Sequence, residues 1–210
     1  MDRFLFRDRR YLICASLLML GICGCAAPIA TLLYVVKGRT TPAECDLLEE
    51  KKVAVVCQAP ASMQFRTRYV TGELSKLVAL GLEKHVRKIE IVDPREVAEW
   101  VDENDWIDPI ELGKAVNADL VLAIDLEEFQ LKDGQTLFRG KANVLLKIHD
   151  VKEDEVIWER IPSQVVWPKH VGIPVQEEQE HQFRLDYLNR LAFEIGKYFY
   201  AWDQYNDFLG

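Results

Sequence analysis

The stretch that most constrains the fold is residues 117–130, Asn-Ala-Asp-Leu-Val-Leu-Ala-Ile-Asp-Leu-Glu-Glu-Phe-Gln. Residues 120–124 are apolar at every position, and one face then turns acidic. A strand that is apolar on both faces is covered on both, whereas an alternating strand leaves one face in water. An Asp-Gly pair at 133–134, typical of a hairpin turn, follows the run. We therefore predict that this stretch is the central strand of a sheet.

The residues before this strand carry two helix-start signals. Asp93-Pro94 and Asp108-Pro109 each place an Asp at the capping position and a Pro in the first turn. A further stretch has apolar residues spaced by three and four, which indicates another helix. In order, the predicted elements are a strand at 53–56, a helix at 67–87, a strand at 89–92, a helix from 94 and a helix at 110–116.

Two more alternating runs follow the hairpin turn, at residues 137–151 and 155–161, and with the central strand they predict an antiparallel meander. Residues 165–175 contain two Pro and one Gly and are predicted to form a packed loop. The last predicted element is a long helix at 175–202. Its apolar stripe consists of Phe183, Tyr187, Leu188, Leu191, Ile195, Phe199 and Trp202.

The predicted order of elements is β-α-β-α-α-β-β-β-α. This order favours an α/β (α+β) two-layer sandwich, in which a mixed sheet ends in an antiparallel three-strand meander. The outward face of the meander is polar, so we expect the helices on one face of the sheet. The expected boundaries are one domain at residues 51–203, ending in the long C-terminal helix, and a tail at 204–210.

The amino terminus has the features of a membrane-directing segment. Four arginines precede an uncharged apolar run, which is the pattern of a secretory signal peptide at residues 1–24. The sequence Ile-Cys-Gly-Cys at 22–25 resembles a bacterial lipobox, which implies that Cys25 becomes the first mature residue and carries acyl chains such as palmitate. Residues 25–50 would then be a membrane-proximal linker.

An uncleaved anchor is the alternative to lipidation. The uncharged run continues to about residue 36, and a run of about 20 apolar residues is long enough to cross a bilayer. The arginines before the run would keep the amino terminus in the cytoplasm. Both interpretations predict a bacterial membrane-anchored protein whose domain faces the periplasm, and neither decides between the inner and the outer membrane.

Cys45 and Cys57 are the cysteines that remain after the amino-terminal segment. In an oxidising compartment they could form a disulfide. The alternative is that they are two small buried residues. The sequence leaves both interpretations open.

The composition and the motifs exclude some functions. The chain has a formal net charge of −8 and no basic patch with interleaved aromatic residues, so nucleic-acid binding is not expected. The four histidines are scattered without metal-ligand spacing, and no phosphate-binding loop or nucleophile elbow is present. We therefore expect no catalytic residues, no metal and no cofactor.

Aromatic residues are concentrated near the carboxyl terminus. Tyr198, Tyr200, Trp202 and Tyr205 are candidates for a surface that binds a partner. The alternative is that these side chains pack in the core.

Four stretches together resemble a family of bacterial lipoproteins: residues 52–56, 92–97, 112–122 and 144–158. They are similar to the domain shared by the curli-secretion channel lipoprotein (CsgG-like), the penicillin-binding-protein activator lipoprotein (LpoB-like) and the amino-terminal domain of the TolB protein. The resemblance covers about residues 51–159. It implies a non-catalytic interaction domain located in the cell envelope.

These observations together predict a membrane-anchored envelope lipoprotein that binds another protein in cell-envelope assembly, wall synthesis or secretion. The first alternative is a structural subunit that self-assembles into an envelope ring or scaffold as a homo-oligomer. An enzyme whose site assembles from distant residues is the second alternative.

Overall fold

The computed structural model describes residues 40–104, 108–175 and 179–203, without the side chains of residues 61 and 64–68. The chain separates into two compact units. One comprises Met1–Thr41 with Asp203–Gly210, and the other is Pro42–Trp202. The second unit contains the helices and the main sheet described below. The domain boundaries expected at residues 51–203 stay a prediction.

The described secondary structure follows the predicted order with four additional short strands, of which one precedes the first predicted strand, two follow the meander and one follows the final helix. The strands are β1 (Thr40–Thr41), β2 (Lys52–Gln58), β3 (Glu90–Ile91), β4 (Leu120–Asp133), β5 (Leu137–Asp150), β6 (Glu155–Arg160), β7 (Val165–Trp167), β8 (Ile173–Pro174) and β9 (Trp202–Asp203). The helices are α1 (Ala61–His85), α2 (Pro94–Glu103), α3 (Pro109–Ala115) and α4 (Glu180–Gly196). None of these helices, within the part of the chain that is described, is both long and apolar enough to cross a membrane.

The two predicted Asp caps are present. The carboxylate of Asp93 accepts a hydrogen bond from the backbone N–H of Arg95 at 2.9 Å, at the start of α2. Asp108 accepts from Ile110 at 2.8 Å and from Glu111 at 3.2 Å, at the start of α3. Each cap satisfies backbone donors that have no partner inside the helix, which is why both helices begin at the following Pro.

The main sheet has the strand order β3-β2-β4-β5-β6. β2 pairs in parallel with both β3 and β4, and β4, β5 and β6 form the predicted antiparallel meander. The prediction that residues 117–130 form the central strand is confirmed, since β4 lies in the middle of this order. The mixed sheet and the C-terminal helix confirm the predicted α+β class.

The prediction of a packed loop at residues 165–175 is partly wrong. Within it, β7 and β8 pair with β5, on the same side as β6 and further along the strand. These strands have three and two residues, too few to show an alternating pattern in the sequence. They form because β6 ends at Arg160 and leaves the rest of that edge of β5 free to pair.

Helices α1 and α4 cover one face of the sheet and form the larger hydrophobic core with it. The inward side chains of β5, the residues Ala142, Val144, Leu146 and Ile148, are at most 2% exposed. From α4, Phe183 stacks on Phe138 of β5 with ring centroids 5.1 Å apart. All residues of the apolar stripe predicted for the final helix therefore pack in this core except Trp202, which is half-buried.

Helices α2 and α3 lie on the opposite face, so the prediction of helices on one face is wrong for the parallel half of the sheet. They form a second core with alternate residues of β2 and β4. This core consists of Ala54, Val56, Val92, Val97, Leu112, Val116, Ala118, Val121, Ala123 and Val151. The physical reason is that residues 120–124 are apolar on both faces of the strand, so both faces of the sheet must be covered there.

The final helix is shorter than predicted and ends at Gly196 instead of residue 202. The next residues form turns, in which the N–H groups of Phe199 and Tyr200 both donate to the carbonyl of Gly196 at 2.8 and 3.3 Å. Tyr200 folds back against Gly196, where a Cβ atom would overlap the Tyr200 ring. The helix begins at Glu180 in the structure, whereas the predicted start is residue 175. Residues 176–178 lie outside the described ranges.

Glu194 joins two cations near the end of α4. It pairs with Arg190 at 2.7 Å and with Lys197 at 2.8 Å, and all three side chains are at most 21% exposed. Burial alone would raise the pKa of Glu194, but the two cations outweigh burial and hold the pKa below its ordinary value. The ionised carboxylate therefore stabilises the folded state.

We predict that Gly140→Ala destabilises the protein by about 1–3 kcal/mol, because the added Cβ would overlap the ring of Tyr187 in a packed core. Gly72→Ala is the matched control. Nothing lies within 4 Å of a Cβ at Gly72, inside α1, so this change should stabilise by about 0.5–1 kcal/mol. Chemical denaturation of both variants measures the two changes in the free energy of unfolding. Equal changes would contradict the packing of Tyr187 against Gly140.

We predict that Glu194→Gln lowers the free energy of unfolding at pH 7 by about 1 kcal/mol, since water partly screens the ion pairs. The lowered pKa means that this contribution is complete above the ordinary carboxyl pKa and is lost as the pH falls through the folded-state value. The difference between wild type and variant should therefore shrink on acidification. Denaturation curves from pH 7 down to pH 3 test this, with Glu83→Gln on exposed helix surface as the control.

Candidate partner-binding surface

The difference in length between β2 and β4 creates a cleft. The last pair between these strands is Gln58 with Asp125, so β4 continues for eight residues beyond β2. Along those residues β5 pairs with one side of β4, and no described strand pairs with the other side. An open cleft of about 410 Å³ lies there, lined by Val70, Phe129, Gln130, Leu131, Lys132, Glu180 and Arg184.

Two register irregularities shape the strand that borders this cleft. They lie between Leu126 and Glu128 and between Gln130 and Lys132 in the pairing of β4 with β5. A bulge adds one residue to a strand and turns the following side chains to the other face. After the second irregularity Lys132 pairs with Phe138, whose ring lies in the core, and the Lys132 ammonium is 5.7 Å from that ring. The irregularities therefore place a lysine at the end of the cleft.

The floor of the cleft is held by aromatic packing. The ring of Phe129 lies 5.7 Å from that of Tyr187, which is fully buried. The Tyr187 hydroxyl donates a hydrogen bond to the carbonyl of Val165 at 2.8 Å. Burial raises the pKa of this hydroxyl, so Tyr187 stays neutral and keeps that bond. The apolar surface beneath the cleft is thus fixed by α4 and β7.

Cationic groups outnumber carboxylates in the cleft lining. Lys132 forms an ion pair with Glu180 at 2.7 Å, whereas Arg184 has no carboxylate within ion-pair distance among the described side chains. The Arg184 guanidinium lies 5.2 Å from the ring of Tyr69, and one of its terminal nitrogens contacts His181 at 2.9 Å. Its Nε atom is buried without a hydrogen-bond partner in the described part of the chain. The cleft is therefore locally positive on an acidic protein.

The predicted aromatic surface lies at the other end of α4. Tyr200 is 7% exposed and stacks on His85 with ring centroids 4.5 Å apart, so it belongs to the core and its assignment to a surface is wrong. Tyr198 is half-buried, tilted against Trp158 at 6.4 Å. The position of Tyr205 lies outside the described residues.

Trp202 is also half-buried, and it packs against the end of the final helix. The Lys197 ammonium lies 4.1 Å from its ring, and the ring of Phe193 lies 6.5 Å away, edge to face. Trp202 and Tyr198 are thus partly accessible aromatic residues that already have partners within the domain.

Cys45 and Cys57 are free and buried in this structure, so the disulfide considered from the sequence is not formed. Burial raises the pKa of both thiols, and at Cys57 the nearby Asp125 carboxylate raises it further. A protonated thiol is a poor nucleophile and a poor metal ligand. Cys25, the predicted lipidation site, lies outside the described residues.

The described side chains contain no group of three or more His, Cys, Asp or Glu residues placed to hold a metal ion. The residues that line the cleft were not identified from the sequence, because none belongs to a motif. One signal was available: the predicted strand at 53–56 is much shorter than the central strand, so part of the longer strand had to extend beyond it.

No protein-family model matches the chain, and no curated protein matches it. Solved structures do. The PelC dodecamer from Paraburkholderia phytofirmans is 15% identical, over 76% of this chain and 94% of that chain, with a TM-score of 0.44. Lipoprotein GNA1162 from Neisseria meningitidis is 13% identical over 68% and 98%, with a TM-score of 0.40.

The LpoB C-terminal domain from Salmonella enterica is 12% identical, over 65% of this chain and 91% of that chain, with a TM-score of 0.38. Bacterial lipoproteins are thus among the solved structures to which this chain is similar, in agreement with the resemblance found in the sequence. Because these TM-scores lie below 0.5, the function proposed below rests on residues of this chain.

Proposed function

We propose that this chain is a membrane-anchored protein of a bacterial cell envelope whose domain binds another protein, without catalysis, in envelope assembly, wall synthesis or secretion. The observation that carries the proposal is the position of the cleft within the domain. The cleft lies at the opposite end of α4 from the place where the chain begins the domain.

The two ends of α4 define this geometry. The domain begins at Pro42, and the N–H groups of Glu44 and Cys45 donate to the carbonyl of Tyr198, two residues beyond α4, at 2.9 and 2.8 Å. The cleft is lined by Glu180 and Arg184, in the first turns of the same helix. A helix of 17 residues is about 25 Å long at 1.5 Å per residue. The cleft and the start of the domain are separated by about that length.

The membrane segment expected from the sequence holds the start of the domain close to the bilayer. An anchor that ends at residue 36 leaves five residues before Pro42, a stretch of at most about 20 Å. A lipid on Cys25 leaves 16 residues, a stretch of at most about 60 Å. Either tether keeps the start of the domain within that distance of the membrane, and the cleft lies at the other end of α4 from that start.

The residues at the rim of the cleft are of the types that dominate protein interfaces. Tyr69 is 56% exposed and lies beneath the Arg184 guanidinium, and tyrosine and arginine are enriched among residues that contribute most to binding. Leu131 and Phe129 add partly exposed apolar surface beside them. This combination supports a protein partner.

Self-assembly is the second candidate, and the edge of the sheet favours it. β6 is the last strand in the order of the main sheet, and Val156 within it is 45% exposed. Ile161, which follows the strand, is 68% exposed. An edge strand with exposed apolar residues can pair with another chain. This candidate places the interface at β6 and not at the cleft.

We predict that a photo-crosslinking residue in place of Tyr69 captures a second envelope protein in living cells, because Tyr69 lies at the rim of the cleft. The same residue in place of Glu83, exposed near the other end of α1, is the control and should not capture that protein. Mass spectrometry identifies the adduct. Self-adducts alone, or the same adducts from both positions, would contradict the proposal. Self-adducts that disappear with Ile161→Glu would support assembly through β6.

We predict that the mature protein begins at Cys25 and carries acyl chains, since residues 22–25 resemble a lipobox. The intact mass of the membrane-extracted protein tests this. Cys25→Ser should leave a precursor of full length, whereas Cys23→Ser should leave the mature mass unchanged. A full-length mass for the wild type would instead favour an uncleaved anchor that reaches about residue 36.

A further inference from the structure

We infer that the edge of β4 that has no strand neighbour among the described residues binds a short extended peptide as an added strand, with a carboxylate of the peptide held by Arg184. This inference rests on the proposed function and deepens it, since it names the kind of partner segment that the cleft accepts. Three features of the cleft carry it: an unpaired strand edge, an apolar wall and an excess of positive charge.

The unpaired edge is the first feature. β2 stops pairing at Asp125, and four consecutive residues of β4, Phe129 to Lys132, line the cleft. Within the described ranges no strand occupies that side. The edge of a strand presents N–H and C=O groups that pair with an extended segment, and this is a recurring way in which proteins bind peptides.

Two irregularities in the pairing of β4 with β5 limit the length of the bound segment, the first with an extra residue in β4 and the second with an extra residue in β5. They lie between Leu126 and Glu128 and between Gln130 and Lys132, so the regular part of the edge is short. Bulges also twist an edge away from continuous pairing with another sheet. The edge is therefore suited to a segment of about four to six residues and is protected against extended strand-to-strand aggregation.

The apolar wall is the second feature. Phe129 and Leu131 of β4 and Val70 of α1 supply the apolar part of the cleft lining. Alternate side chains of an extended peptide point to one side. Those that point into the cleft would contact this wall, so the bound segment should have apolar residues at every second position.

The charge of the lining is the third feature. Glu180 neutralises Lys132 at 2.7 Å, which leaves the Arg184 guanidinium as the excess positive group. Among the described residues the buried Nε atom of Arg184 has no hydrogen-bond acceptor, and one terminal nitrogen of the guanidinium contacts His181 at 2.9 Å. A guanidinium binds a carboxylate with two parallel hydrogen bonds. The peptide should therefore supply an Asp, a Glu or its own terminal carboxylate beside Arg184.

The experiment uses the full-length chain in lipid nanodiscs and a displayed library of random eight-residue peptides as the probe. The expected selected peptides alternate apolar residues and carry a carboxylate at one end of the alternating run. A selected peptide is then synthesised with a free or an amidated terminus, and its affinity is measured by fluorescence anisotropy. Loss of binding on amidation assigns the carboxylate to the terminus, and retention assigns it to a side chain.

Backbone pairing is tested on the peptide, so the folding of the protein is not perturbed. N-methylation of every second amide should abolish binding, whereas methylation of the intervening amides should change it less than about threefold. This alternation arises because only every second N–H of an added strand faces β4. Equal sensitivity of all amides, or selected peptides with apolar residues spaced by three and four, would overturn the inference.

The carboxylate contact is tested on the protein. Arg184→Gln should weaken binding about tenfold or more, because a charge-assisted hydrogen bond is lost. Arg87→Gln is the matched control, since Arg87 is exposed and pairs with Glu49 outside the cleft. Equal affinities for wild type and Arg184→Gln would overturn the inference, as would a library without a selected binder. Capture of a partner from Tyr69 in cells, together with either result, would leave the proposed function standing while this inference fails.

Discussion

Burial of both faces at the start of β4 is the constraint on which the rest of the structure depends. Leu122 and Val121 point to opposite faces of the sheet, and both are fully buried. Removing a large apolar side chain from water stabilises the fold by about 1.5–3 kcal/mol, and this gain is available on each face only if helices cover it. α1 and α4 provide one cover and α2 and α3 the other. α3 packs closely on β4, since a Cβ at Gly113 would approach a Val121 methyl at 2.8 Å.

Beyond Asp125 the same strand has a different environment. The helix-covered face continues to bury Leu126 and its neighbours on β5, but the other face becomes polar. There Asp125 pairs with Lys147 at 3.2 Å, and Glu128 accepts from Asn143 at 2.8 Å. Because β2 ends there and α1 begins at Ala61, this extension also loses one of its two strand neighbours. One strand thus contributes both the centre of the core and, beside the cleft, an edge that no described strand covers.

The two ends of α4 carry different surfaces of the domain. Its carboxyl-terminal end lies beside the first residues of the domain, where Tyr198 accepts two backbone hydrogen bonds and Trp202 packs on Lys197. Its amino-terminal end carries the cleft with Arg184. The partly accessible aromatic residues Tyr198 and Trp202 therefore lie at the carboxyl-terminal end of α4, whereas the cationic cleft lies at its amino-terminal end. A surface chosen from aromatic content alone would select the first end.

Local patterns in the sequence determined most elements of this protein, because periodicity and capping act over a few residues. They predicted β4 as the central strand, the meander, and the starts of α2 and α3 at Asp93 and Asp108. They also indicated that residues 120–124 need cover on both faces, although the predicted architecture assigned helices to only one. The membrane-directing segment expected at the amino terminus is likewise a local pattern, and it stays a prediction.

Only the tertiary structure decided the features that depend on residues far apart in the chain. The cleft brings Tyr69, Leu131 and Arg184 together from three elements, and its existence depends on where β2 stops pairing with β4. Tyr200 belongs to the core because the chain turns back after Gly196, and no helical pattern encodes that turn. Strand pairing and helix packing set the distances between these residues. Both depend on the length of one element relative to its neighbour, which can lie far away in the chain.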